Sequence, residues 1–203
     1  MQRALNVLII EDSEDDAILL VRQLRRGFQV FFERVETAAA MRTALAGRSW
    51  DVVISDYAMP HFSGLDALKT LQESGLDLPF ILVSGVAGGE EAGVEAMRCG
   101  AHDYLMKRNL ARLVPAVERE LREAETRRER KQEEELLRLR TEALAAAANG
   151  IMITDPEGTI VWVNAALTAL TGYTSVELLG RIPASSSQAC RTRRSTAICG
   201  PQS

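Results

Sequence analysis

Four short apolar stretches of this 203-residue chain run into side chains that could do chemistry. Run 5–10 leads into Glu11 and Asp12, run 52–54 into Ser55 and Asp56, run 80–83 into Ser84, and run 104–106 into Lys107. If these runs are parallel strands of one open sheet, their carboxyl ends share an edge, the edge where such sheets bind ligands. Glu11, Asp12 and Asp56 would then converge. Converging carboxylates repel and are costly unless a cation joins them. An oxygen-only ligand set, with no His or Cys, suits Mg²⁺. A carboxylate is also a nucleophile toward phosphorus, and a bound cation offsets charge on a transferring group. Lys107 would add a second positive charge and Ser84 a hydroxyl donor, which completes a phosphoryl-transfer site. Taken singly, Glu11 and Asp12 read as a helix cap and Lys107 as a solvated cation. The joint pattern at four strand ends points to one site.

The elements that must carry these residues follow from periodicity. Runs 5–10, 30–32, 52–54, 80–83 and 104–106 are short and rich in Val, Ile and Phe. They read as strands buried on both faces. Between them lie helical patterns: Ile18, Val21 and Leu24 recur at helical spacing, as do Leu65, Leu68 and Leu71. Gly27, Gly47, Gly75 and Gly100 fall near the expected helix ends, where positive φ is easily taken. Strands alternating with helices predict a parallel sheet with right-handed crossovers. A strand order of 2-1-3-4-5 would bring strands 1 and 3 side by side. Residues 109–148 read as one long helix, with Pro115 at an awkward fifth or sixth position. Its charged middle, 125–135, reads as a solvated connector or as a weak seam of a parallel two-helix coiled coil.

Composition bounds the alternatives. The chain is 46% hydrophobic and 26% charged with a net charge of −4, an ordinary globular balance that weighs against nucleic acid as a direct partner. No apolar run reaches a membrane span, and the amino-terminal stretch does not resemble a signal peptide. Cys99, Cys190 and Cys199 read as cytosolic thiols, with Cys99 a small buried residue. His61 and His102 share no ligand spacing with cysteine. Gly88-Gly89-Glu90-Glu91 lacks the lysine and hydroxyl of a phosphate-binding loop and reads as the entry to the fourth helix.

Residues 5–120 resemble the receiver domain of two-component response regulators. The resemblance rests on Leu5-Asn6-Val7-Leu8-Ile9-Ile10-Glu11-Asp12, on Val52-Val53-Ile54-Ser55-Asp56-Tyr57-Ala58-Met59-Pro60, on Ile81-Leu82-Val83-Ser84-Gly85, and on Gly100-Ala101-His102-Asp103-Tyr104-Leu105-Met106-Lys107. It implies a flavodoxin-like α/β fold with helices on both faces of the sheet. It implies Asp56 as phosphoacceptor, Mg²⁺ held by Glu11, Asp12, Asp56 and the backbone carbonyl of Ala58, and Lys107 on the phosphoryl group. Ser84 and Tyr104 become the switch pair, and the fourth helix, fifth strand and fifth helix the output face. Glu11 replaces the commoner Asp, and Arg108 stands where many receivers have proline, so no cis peptide is expected there. Ala58 and Val86 flank the approach of a hydrolytic water and cannot hydrogen-bond it, so slow autodephosphorylation is expected.

Residues 149–180 resemble the opening of a PAS domain, through Gly150-Ile151-Met152-Ile153-Thr154-Asp155-Pro156-Glu157-Gly158, Val163-Asn164-Ala165-Ala166, Leu170-Thr171-Gly172-Tyr173 and Glu177-Leu178-Leu179-Gly180. About a third of such a domain is covered, an incomplete α+β fragment, so no haem or flavin is assigned. The expected organisation is a receiver over 1–122, a charged helical linker over 123–148, the PAS fragment over 149–180, and a disordered tail over 181–203. The tail's composition changes where the resemblance stops. Permitted codons for 184–203, read one base earlier, encode a string containing Leu, Phe, Tyr and Trp, so the tail is expected to be out-of-frame coding. The chain reads as a cytoplasmic signalling protein rather than an enzyme with turnover. Its partner would be a sensor histidine kinase or phosphotransfer protein, with homodimerisation through the linker. The rival is an Asp-nucleophile phosphohydrolase, which needs a second Asp where Ala58 stands. A shortened histidine kinase or diguanylate cyclase is a further alternative.

Overall fold

The computed structural model describes residues 2–85 and 89–183. Val86 and residues 184–203 lie outside them, and with them most of the expected tail and half of the expected dephosphorylation pair. The chain divides into two compact units at Arg130 and Lys131.

In the first unit five strands pair in parallel, in the order β2-β1-β3-β4-β5: β1 (Arg3–Ile10), β2 (Phe28–Val35), β3 (Val52–Asp56), β4 (Phe80–Ser84) and β5 (Asp103–Met106). The expected strand order is therefore the observed one. Alternate residues feed opposite layers, as a period of two requires. Leu5, Val7, Ile9, Val52, Ile54, Ile81 and Val83 pack against helices α1 (Glu14–Leu24) and α5 (Leu113–Ala146). Leu8, Ile10, Val53, Phe80 and Leu82 pack against α2 (Ala38–Gly47), α3 (Gly64–Ser74) and α4 (Gly89–Arg98).

Several expectations need correction. Phe31 and Phe32 are 50% and 40% exposed, because β2 is an edge strand and lacks a neighbour on one side. The buried stripe of α1 is Ala17, Leu20, Val21 and Leu24, while Ile18 faces outward. Cys99 is exposed, not buried. The inward stripe of α4 is Ala92 and Ala96, and the helix ends at Arg98, which leaves Cys99 in the turn, its carbonyl accepting from Gln72. Of the four glycines placed at helix ends, Gly75 and Gly100 take positive φ. Gly27 instead lies where a Cβ would meet Val114 at 2.6 Å. Pro115 causes no kink. A 3-10 turn over Lys107–Arg112 precedes α5, so Pro115 falls in the first helical turn, where its missing N–H has no partner to lose.

The end of the first unit is tied down by arginines. Arg127 pairs with Asp77 at 3.1 Å and lies 3.3 Å from His102 Nε2, and Arg128 donates to the Asp77 carbonyl.

In the second unit, β6 (Met152–Thr154) and β7 (Ile160–Val163) form an antiparallel hairpin. Its turn is closed by the Gly158 N–H on the Asp155 carbonyl, with Gly158 at φ 90°. Helices α6 (Ala165–Thr171) and α7 (Ser175–Leu178) follow. One side chain organises this unit. Asn164 is 2% exposed. Its Oδ1 accepts from the N–H groups of Ile151 and Leu167. Its Nδ2 donates to the carbonyls of Leu144, Ala147 and Asn149. Asn164 thus caps α6 and also binds carbonyls in the last turn of α5 and in the segment after it. No helix among the described residues is long and apolar enough to cross a membrane.

Candidate functional site

Register decides where the predicted residues meet. Ile10 lies opposite Ser55 in the β1–β3 pairing, so Glu11 and Asp56 come to the sheet edge side by side. Ser84 lies opposite Met106 in the β4–β5 pairing, so Lys107 follows at the same edge. Carboxylate oxygens of Glu11, Asp12 and Asp56 all lie within 4.8 Å of one another. Glu11 is fully buried, Asp56 is 7% exposed, and Asp12 faces solvent.

The Lys107 ammonium closes the pocket, 2.9 Å from Glu11 Oε2 and 3.1 Å from Asp56 Oδ2. Burial alone would lower the lysine's proton affinity. Hydrogen bonds to Asp16, Glu11 and Asp56 more than reverse that and hold it firmly charged. Glu11 is in the opposite position. Burial, together with the charge of Asp56, pushes its carboxyl above the ordinary range, and hydrogen bonds from Lys107 and the Ser13 N–H only partly offset this. Among the described residues, Asp56 Oδ1 is buried with no hydrogen-bond partner. A buried carboxylate oxygen left unmatched is costly, and a hard divalent cation among three carboxylates would match it. The residues present therefore fit Mg²⁺.

Ser84 is buried at the end of β4, and Tyr104 lies on β5. The Tyr104 ring meets Tyr57 edge-on, with centroids 6.2 Å apart, and its hydroxyl is buried without a hydrogen-bond partner among the described residues. Gly93 makes room for that ring, since a Cβ there would lie 3.1 Å from it. Ala58 is exposed in the loop after β3. Gly64, which opens α3, donates its N–H to the Tyr57 carbonyl. A Cβ at Gly64 would lie 2.5 Å from the Asp56 carbonyl oxygen and 2.4 Å from Leu82. Among the described residues there is no cis peptide, as the arginine at 108 suggested.

Two residues of the pocket are invisible to the strand-end pattern. Asp16, on α1, ion-pairs with Lys107. Arg34, at the end of β2, donates to the Glu11 carbonyl at 2.8 Å and the Asp12 carbonyl at 3.3 Å, fixing the loop that carries both acids. The sequence holds a signal for Asp16, the Ser13-x-x-Asp16 helix start. Nothing in the sequence marks Arg34.

Comparison with known proteins gives the family of the chain. Residues 7–118 match the sequence model of the response regulator receiver domain, and residues 138–193 that of the PAS fold. The regulatory protein AtoC of Escherichia coli is 38% identical over 107 residues, 51% of this chain and 22% of AtoC. The transcriptional regulatory protein FixJ of Bradyrhizobium diazoefficiens is 35% identical over 91 residues, 44% of each chain. This chain thus spans about a fifth of AtoC and under half of FixJ. Among solved structures, the crystal structure of FixJ-N shares 30% identity at a TM-score of 0.50, covering 60% of this chain and 96% of that one. The N-terminal domain of a response regulator/sensory box/GGDEF three-domain protein from Carboxydothermus hydrogenoformans shares 25% identity. Its TM-score is 0.52, over 60% of this chain and 98% of that domain.

Proposed function

This chain belongs to the response regulator receiver family and carries a PAS segment after the receiver, and we propose that its part in phosphorelay signalling is played on Asp56. The observation that carries the assignment is the unmatched, buried Oδ1 of Asp56 beside Lys107. A carboxylate oxygen of Asp56 attacks phosphorus, a P–O bond forms, and the bond to the donor's leaving group breaks. Lys107 donates to the phosphoryl oxygens and holds them in line. Glu11, Asp12, Asp56 and the carbonyl of Ala58 would hold Mg²⁺, which supplies charge stabilisation to the transferring group when bound.

Signalling requires that the new charge bias a two-state element. Ser84 is the hydroxyl that turns to the phosphoryl oxygens, and Tyr104 the ring coupled to it. The readout is then a change on α4, β5 and α5. The phosphodonor partner is a histidine kinase or phosphotransfer protein. Dimerisation through residues 110–148 and cytoplasmic residence belong to this reading, as does the absence of direct nucleic-acid contact by these residues. A phosphohydrolase acting on outside substrates is the weaker reading, since Ala58 offers no proton to a leaving group.

The experiment is labelling of the full chain with acetyl phosphate and Mg²⁺, followed by intact mass. The wild type gains about 80 Da, one phosphoryl group in the chemistry of an acyl phosphate. Asp56→Asn gains none, because an amide is not a nucleophile here. Undiminished labelling of Asp56→Asn would remove the assignment.

A further inference from the structure

Three helices among the described residues begin with a hydroxyl N-cap followed, three residues on, by an acid: α1 at Ser13 and Asp16, α3 at Ser63 and Asp66, α7 at Thr174 and Glu177. In α3 and α7 the acid reaches back to the N-cap backbone and closes a capping box. In α1 the Ser13 hydroxyl accepts from the Asp16 N–H at 3.3 Å, but the reciprocal bond is missing. The Ser13 N–H goes instead to Glu11 Oε1, and the Asp16 carboxylate turns to Lys107. A local rule kept at two helix starts and broken at the third, beside the phosphoacceptor, marks a residue used for something other than capping.

We infer that Asp16 is a positioning residue for Lys107, the carboxylate that keeps the ammonium aimed into the pocket while its other partners are occupied. The inference rests on the reading of Asp56 as phosphoacceptor. An ammonium has three N–H donors, and Lys107 spends them on Glu11, Asp56 and Asp16. Two of those partners have other work. Asp56 takes the phosphoryl group, and Glu11 belongs to the carboxylate set that fits a divalent cation. Asp16 has no second task. It stands at the rim, with its side chain 39% exposed, and its backbone is fixed by the Ser13 cap. With Asp56 phosphorylated, Asp16 retains one donor of Lys107 and leaves the others for the phosphoryl oxygens. Without Asp16 the lysine follows whichever acid is free and is out of place when the phosphoryl group arrives.

The test uses the full chain, acetyl phosphate and Mg²⁺, with the initial labelling rate as readout. Asp56 forms a P–O bond, the acetyl P–O bond breaks, and acetate leaves. Asp16→Asn is expected to slow labelling about tenfold, in the range a misplaced catalytic group costs. Asp15→Asn is the control. Asp15 is exposed on the same first turn, so its loss removes the same charge from the same helix end without touching Lys107. It is expected to label at the wild-type rate, and Asp16→Glu to recover most of the loss. A second readout needs no phosphodonor: with Mg²⁺ present to engage Glu11 and Asp56, the ¹H–¹⁵N signal of the Lys107 ammonium is expected to be protected from exchange in the wild type and in Asp15→Asn, and to be lost in Asp16→Asn. A wild-type rate in Asp16→Asn, an equal loss in Asp15→Asn, or an unchanged ammonium signal overturns the inference while leaving Asp56 as phosphoacceptor. Labelling that persists in Asp56→Asn overturns both.

Discussion

Asn164 and Asp56 are both buried polar side chains, one in each unit, and the molecule treats them in opposite ways. Every polar group of Asn164 has partners, two backbone N–H groups on its oxygen and three carbonyls sharing its nitrogen. Asp56 keeps one oxygen unmatched, shares its lysine with two other acids, and stands beside a Glu11 carboxyl that burial pushes upward. Native proteins pair nearly all buried polar groups, so an unpaired one asks for a reason. At Asn164 the polarity is structural and its demands are met within the fold. At Asp56 the demand is left open, and on the proposed reading a cation and a phosphoryl group would meet it. Between these two residues the difference is sharper than burial, which is nearly equal in them.

Breaking the contrast on the satisfied side should have the largest effect on stability. Asn164→Ala strands two N–H groups and up to three carbonyls, and is expected to cost the second unit about 3 kcal/mol. Amide hydrogen exchange should speed up at Ile151 and Leu167 and stay unchanged at Leu8 in the first unit. Equal protection at Ile151 in the variant would mean that Asn164 is not the organising residue. On the unsatisfied side the sign reverses. Asp56→Asn removes a charge that repels Glu11 while Lys107 keeps Glu11 and Asp16. It should therefore stabilise the first unit by about 1 kcal/mol, raising its melting temperature by a few degrees. A lower melting temperature would contradict the claim that the pocket is kept at a cost to the fold.

The smallest effect is a pH dependence. The Glu11 carboxyl lies above its ordinary value near 4.5 because of burial first and Asp56 next. Between the ordinary and the raised value, the folded chain holds a proton that the unfolded chain has lost. The penalty of an ionised Glu11 is thus absent below that window and grows as pH rises through it. In chelator-treated buffer Glu11→Gln should be more stable than the wild type at pH 7, with the gap closing as pH falls toward 4.5. A gap that widens on acidification would reverse the assignment. Asn164, which does not titrate, should show no such dependence.

The strand-end acids and the lysine were legible because each is local: a short apolar run, then a polar residue, repeated along the chain; the sheet order came with the family resemblance. What the sequence hid was whatever depends on a neighbour. The Phe31-Phe32 pair looks like core until β2 is seen to be an edge. Cys99 looks buried until α4 ends one residue before it. Asp16 carries a helix-start signal that two other helices obey, and only the approach of Lys107, 91 positions away, shows why it does not. Arg34 reaches the acid loop from another strand and has no signature at all. Helix α5 errs the other way: Pro115 looks misplaced in the sequence only because the 3-10 turn before it has no sequence signature.

Gly64 carries a consequence for how such a pocket can be lost. The start of α3 lies so close to the Asp56 carbonyl that one methyl group would have to displace the backbone of the proposed phosphoacceptor. A lineage freed from selection for phosphorylation therefore has a second target besides the acid itself. Alanine at 64 would leave every polar residue of the pocket in the sequence and still spoil its alignment. Inspection of the acids and the lysine alone would then score an inert descendant as competent, and the glycine is the position that would betray it.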